Sequence, residues 1–137
     1  MKGEIKATPL LPGIAVGDVM KLEAPLSFWG GVDPKTGTII QVRHPQCGET
    51  IGGKILCLPA TIGSSSSSAV LLELIRLGIA PAALVMGTPD AILMIGCLVA
   101  KEMGWEAPPA FELAADIQST LPDGRLTLSE TGAITPF

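Results

Sequence analysis

The segment KILCLPATIGSSSSSAVLLELIRLGIAPAALVM, Lys54 to Met86, decides the fold. Its first part, Lys54 to Leu58, is an apolar run stopped by Pro59, the pattern of a strand buried on both faces. From Ser66 to Leu77 the apolar residues Val70, Leu71, Leu74, Ile75 and Leu77 recur at helical spacing. Glu73 and Arg76 fall on the other side, and Gly78 closes the helix. Ala82 to Met86 is a second short, wholly apolar run. Strand, helix and strand within about thirty residues form a βαβ unit, whose crossover is expected to be right-handed.

Working outward, a second helix follows at once. Thr88 reads as its N-cap, Pro89 as its first helical residue and Asp90 as a carboxylate at the positive end of the dipole. It runs to about Met103 and stops at Gly104; being apolar nearly all round, it is expected to be buried on most sides. Upstream, Ile14 to Leu22 follows the Pro12-Gly13 turn as a strand, Ser27 to Trp29 reads as a short strand ending at Gly30-Gly31, and Thr38 to Val42 as an extended segment after the Asp33–Gly37 turn. These predict a small sheet or barrel-like wall with long loops. Downstream, Phe111 to Leu113 and Arg125 to Leu128 read as short strands, with turns at Pro122–Gly124 and Thr131-Gly132. There is no internal repeat. With 137 residues, the expectation is one α/β domain over 1–137.

Composition narrows the function. Hydrophobic residues are 47% and charged residues 16%, which excludes a disordered chain and leaves little charge to solvate a surface, so some apolar surface is expected to be covered by another chain. A net charge of −4 with only 9 Lys+Arg argues against nucleic acid, since phosphate neutralisation needs a basic face. The longest apolar run, Ala91 to Ala100, is too short to span a bilayer, and the opening MKGEIKATPLLPG lacks the apolar stretch of a signal peptide. The expected location is the cytoplasm. Cys47, Cys57 and Cys97 have no C-x-x-C spacing, so neither a disulfide framework nor a zinc site is expected; Cys57 and Cys97 read as core residues and Cys47 as an exposed loop thiol that leaves a cluster ligand open.

Gly63 followed by five serines is the sharpest chemical feature. A serine run is the composition of a flexible linker, and a serine at a helix start is a cap. A tether inside a βαβ unit would break it, however, and this loop leaves the carboxyl end of a parallel strand, where open α/β sheets bind ligands. Free N–H groups of the first helical turn favour a carboxylate or phosphate, and Gly63 lets the backbone approach closely. A complete active site cannot be assembled around it. His44, the single histidine, precedes Pro45 in a loop; G-x-S-x-G, dinucleotide and P-loop patterns are absent; Asp33, Asp90 and Glu112 form no pair. Phosphoryl transfer through a phosphohistidine would need a histidine in the glycine-serine loop, which has none. If the loop is catalytic, the rest of the site belongs to another polypeptide.

Phe28-Trp29-Gly30-Gly31-Val32-Asp33-Pro34, then His44-Pro45, Gly53-Lys54-Ile55-Leu56, Gly63-Ser64-Ser65 and Val70 to Leu74, in this order and with Ala80-Pro81-Ala82, resemble the small subunit of aconitase X over nearly the whole chain. The resemblance implies a swivelling β/β/α domain of the aconitase type. It implies a hydro-lyase that dehydrates a β-hydroxy acid, active only with a large subunit that carries most substrate contacts and, where present, an iron or iron–sulfur centre; this chain itself would hold no metal and no cofactor. Ser64 maps to the proton acceptor, with Gly63, Ser65 and Ser66 as substrate contacts. The substrate implied first is cis-3-hydroxy-L-proline, and the alternatives are mevalonate 5-phosphate or a non-catalytic module that binds an anion at the same helix. One departure is Ile62, where such sequences commonly carry an arginine before the glycine.

Overall fold

The computed structural model describes residues 4–137, so the first three residues of the N-terminal reading lie outside it. Eight strands and three helices follow in the order β1 (Ile5–Lys6), β2 (Thr8–Leu11), β3 (Ala15–Lys21), β4 (Ile55–Leu58), α1 (Ser67–Arg76), β5 (Ala83–Met86), α2 (Ala91–Glu102), β6 (Ala110–Glu112), α3 (Ala115–Gln118), β7 (Arg125–Leu128) and β8 (Ala133–Pro136). The strands hydrogen-bond in the order β1-β8-β7-β3-β4-β5-β6-β2. Only Ala7 separates β1 from β2, so the stretch 5–11 pairs first with β8 and then with β6. The ladder therefore returns on itself as a barrel-like sheet, which leaves few open edges.

The expected βαβ unit is present. β3, β4, β5 and β6 run parallel to one another, with Ile55 beside Ala83 and Leu58 beside Met86. Every residue of β4 and β5 is buried, because the two faces serve two cores. Ile55, Cys57, Ala83 and Val85 point into the barrel with Phe111, Leu126, Leu128 and Ile134. Leu56, Leu58, Leu84 and Met86 face outward onto Val70, Leu71 and Leu74 of α1 and Leu93 and Cys97 of α2. An apolar residue at every position is what a strand with helices on one side and a closed interior on the other requires.

Three local expectations are corrected. Ser27–Trp29 is not a strand: Leu26 makes a single bridge to Thr61, and the chain then turns through Trp29–Gly31, with Gly30 at φ +79°. The Ser27 hydroxyl, bonded 2.7 Å to the Trp29 carbonyl, fixes that turn. Thr38–Val42 is not a strand either; Thr38 and Ile39 make isolated bridges to Thr50 and Val32. The expected wall is thus an ordered loop laid over the sheet, filled by the fully buried Phe28, Ile39 and Ile51. The N-cap of α2 is Asp90, extended at φ −122°, ψ 99°, and not Thr88.

Candidate active site at the carboxyl edge of the sheet

The parallel strands β4, β5 and β6 end together, and a side chain that sequence reasoning missed ties their ends. The buried Gln118 amide reaches the carbonyls of Leu58 at 3.0 Å, Val85 at 3.3 Å and Leu113 at 2.9 Å. The Leu58 carbonyl also accepts the Gly87 N–H at 2.9 Å, so there the Gln118 amide adds a second donor, and its three bonds tie three separate segments together. Nothing in the local pattern around Gln118 marks it, because its partners come from three separate segments.

From this edge the chain enters the glycine-serine loop through a clamp. On one side Leu26 donates its N–H to the Ala60 carbonyl at 3.3 Å and accepts the Ile62 N–H at 3.0 Å. On the other, the Thr61 hydroxyl donates to Asp90 Oδ2 at 2.6 Å, while Asp90 Oδ1 accepts the Leu93 N–H at 3.0 Å. Asp90, read from sequence only as a dipole partner, therefore links the serine loop to the start of α2. Short charge-assisted bonds of this kind are among the stronger ones in proteins.

Beyond the clamp the loop opens. A Cβ at Gly63 would meet nothing within 4 Å, and its φ lies outside the left-handed region. Neither crowding nor backbone strain within this chain therefore requires a glycine here. Ser64 is half-buried; its Oγ accepts the Ser66 N–H at 3.2 Å and its carbonyl accepts the Ser67 N–H at 3.1 Å. Ser65 is exposed, with its carbonyl taking the Ser68 hydroxyl at 3.4 Å. Ser66 occupies the N-cap position of α1 without a side-chain cap bond. Among the described residues, the amides of Gly63, Ser64, Ser65 and Ser68 donate to no protein group. The Oγ of Ser67 is buried with no partner.

The structure therefore brings Gly63, Ser64, Ser65 and Ser66 together at the start of a ten-residue helix. The arrangement offers unpaired N–H donors and the positive end of the α1 dipole to an anion, with one serine oxygen already under the pull of a backbone donor.

Beside Ile62, the residue before Gly63, lies a mostly apolar hollow of about 460 Å³, lined also by Trp29, Gly30, Gly31, Val42 and Arg43; no serine of the loop lines it. Ile62 is thus a wall of this hollow, and Arg43 is the cation that lines it. His44 is buried and structural: its Nδ1 accepts the Gln46 N–H at 3.0 Å, so its Nε2 donates to the Ala24 carbonyl at 3.0 Å. Cys57 and Cys97 lie in the core as read, and burial pushes their thiols up to about 12 and about 11. Cys47 is exposed, and among the described residues no three His, Cys, Asp or Glu side chains gather, so the donor set that iron or an iron–sulfur cluster needs is not assembled there.

The family model of the aconitase X swivel domain matches residues 4–133. The chain belongs to that family. It is 44% identical over 126 residues to the cis-3-hydroxy-L-proline dehydratase of Pseudomonas aeruginosa, a match that covers 87% of this chain but 22% of that protein. It is 39% identical over 105 residues to the phosphomevalonate dehydratase small subunit of Methanopyrus kandleri, covering 74% of this chain and 78% of that one. The crystal structure of the holo-form of Thermococcus kodakaraensis aconitase X superposes with a TM-score of 0.85 at 29% identity, covering 99% of both chains. The swivel domain expected from the resemblance is the fold observed. The chain spans about a fifth of the hydroxyproline dehydratases it matches and most of the small subunits.

Proposed function

We propose that this swivel domain is the small subunit of an aconitase X-type hydro-lyase that dehydrates a β-hydroxy acid, with Ser64 as the proton acceptor. The observation that carries the reading is the Ser64 hydroxyl, held at the carboxyl edge of the sheet under the Ser66 N–H and at the start of α1. A serine oxygen is a poor base unless its alkoxide is stabilised. Here a backbone donor and a helix dipole do part of that, and a cation from a partner would do the rest. In the proposed step the alkoxide takes the proton from the carbon next to the substrate carboxylate, the electron pair forms a carbon–carbon double bond, and the β-hydroxyl leaves as water after protonation. The amides of Gly63, Ser64, Ser65 and Ser68, which donate to no protein group among the described residues, are the donors this reading offers to the substrate carboxylate. In this reading, any metal centre that polarises the leaving hydroxyl sits on the large subunit.

Among β-hydroxy acids, cis-3-hydroxy-L-proline is the first substrate to test, because the relative of that name is 44% identical over 87% of this chain. Mevalonate 5-phosphate is the second, on the strength of the small-subunit relatives. The test is an assay of the chain combined with its large subunit on both acids. Activity on one of them that falls by about a thousandfold in Ser64→Ala supports the reading, a loss of the size general-base removal produces. Activity that survives Ser64→Ala removes Ser64 from the chemistry. Inactivity of the assembled pair on both acids, with tight carboxylate binding to the isolated chain, would leave an anion-binding module in its place.

A further inference from the structure

The segment Ala91 to Ala100 carries no charged residue, and a helix of that composition was expected to be covered on most sides. It is covered on one. Leu93, Gly96, Cys97 and Ala100 of α2 are buried against α1, while Ile92, Ile95, Leu98, Val99 and, just past the helix, Met103 are between 39% and 58% exposed. Residues 92, 95, 99 and 103 fall on one stripe of the helix, with Leu98 at its flank. Scattered exposed apolar residues need no explanation, but five along one helix do.

The stripe begins at the candidate site. Asp90 caps α2 and holds Thr61 of the serine loop at 2.6 Å, so Ile92 starts one helical turn from the clamp. On the other side of the clamp, Trp29, Val42 and Ile62 are exposed around the hollow. The serine loop is therefore flanked by apolar surface in both directions; Arg43 lines the hollow, but among the described residues no cluster of His, Cys, Asp or Glu joins the loop to complete a site.

We infer that the exposed α2 stripe is the face on which the large, catalytic chain of the enzyme docks, with Ile95 and Val99 at the centre of the contact. The inference rests on the function proposed above and adds the surface. What selects this occupant is continuity with an incomplete site: a polypeptide that reaches Ser64 from outside also lies over the start of α2. The relatives supply the polypeptide. The region matching this chain is 22% of the longer P. aeruginosa dehydratase, whereas in M. kandleri it makes up most of a protein named as a small subunit. A lipid surface fits poorly, since the stripe carries only Lys101 as a cation near its end and the chain is net −4.

The test uses the full chain and its large subunit. Ile95→Glu/Val99→Glu places charge on exposed positions, and Ile95→Ser/Val99→Ser is a milder pair that keeps the question open should the first disturb folding. Phe137→Glu, at a residue 76% exposed beside Arg125 of β7, is the control. Affinity for the large chain is read by titration calorimetry, self-association by sedimentation, and protection of 91–103 by hydrogen exchange. The expected result is a loss of affinity of about a hundredfold in the α2 variants, an unchanged control, and slower exchange of α2 in the complex. Unchanged affinity of both α2 variants, in a pair whose activity still depends on Ser64, overturns the docking face and leaves the function standing. A self-dimer of the wild type that the α2 variants dissolve assigns the stripe to a second copy instead. Failure of the wild type to bind the large chain at all overturns both.

Discussion

Asp90 carries two loads with one carboxylate. It accepts the Leu93 N–H as an N-cap and the Thr61 hydroxyl as the strut of the serine loop. The two are separable. Thr61→Val removes the strut alone, Asp90→Asn keeps one oxygen as the cap acceptor and turns an NH2 donor toward the Thr61 hydroxyl, which must then accept, and Asp90→Ala removes both. Loss of a cap costs about 1 kcal/mol, and loss of a hydrogen bond to a charged group about 1.5–3 kcal/mol. Urea unfolding should therefore rank Asp90→Ala below Thr61→Val, with Asp90→Asn nearest to the wild type. If the strut aims Ser64, Thr61→Val should also lower kcat of the assembled enzyme by about tenfold while Thr61→Ser restores it, because one misplaced loop atom is enough to weaken catalysis. The sequence around Asp90 announces a helix start correctly but places the cap at Thr88. Both residues can cap, and what selects Asp90 is a partner 29 positions away that no local pattern contains. The glycine-serine loop at the start of α1 was legible for the opposite reason: its glycine, serines and helix are contiguous. Gln118, with acceptors in three segments, left no sequence signal.

At the level of elements, α1 and α2 meet through a close backbone contact. A Cβ on Gly96 would stand 2.7 Å from the Ser68 carbonyl, in the first turn of α1. Gly96→Ala raises helix propensity by about 1 kcal/mol, but it must push the two helices apart, and overpacking a fixed backbone contact costs about 1–3 kcal/mol. The expected outcome is net destabilisation in thermal melts. Because the displaced turn follows Ser64 directly, a drop in activity larger than that of an equally destabilising change in the barrel interior is also expected. Leu126→Ala, fully within the inner core, serves as that comparison. Both helices were legible from their apolar spacing and glycine stops. What spacing did not reveal is that α2 leaves half of its apolar surface uncovered, since a helix apolar all round looks the same whether its cover comes from its own chain or from another. The short strand expected at Ser27–Trp29 failed for a related reason. Its aromatic residues are strand formers, yet Gly30 and Gly31 let the chain turn where a strand would have continued.

For the molecule as a whole, closure of the barrel was hidden because it joins the ends of the chain. β1, β2 and β8 are two to four residues long, too short to show a period, and the Ala7 N–H finds its acceptor at Gly132, at 2.8 Å. Gly132 sits at φ +93°, and a Cβ there would overlap the Ala7 carbonyl, so Gly132→Ala should destabilise the fold by about 3 kcal/mol or more, seen as a lower urea midpoint. The two cores that closure creates also give the fold a pH response. Cys57 lies inside the barrel and Cys97 between the helices, and burial raises their thiols from 9.0 to about 12 and about 11. In the unfolded chain both release their protons near the ordinary value, while the folded chain holds them. The unfolded state thus binds fewer protons above about pH 9, and stability must fall as the pH rises from there toward the folded values. The slope approaches about 1.4 kcal/mol per pH unit for each thiol. Below the ordinary thiol value the contribution is fully present and flat. Urea unfolding across this range should therefore show the wild type losing stability with pH more steeply than Cys57→Ala/Cys97→Ala, in which every other titrating group is retained. Parallel slopes for the two proteins would mean that the thiols titrate alike in the folded and unfolded chains, and that water reaches both cores.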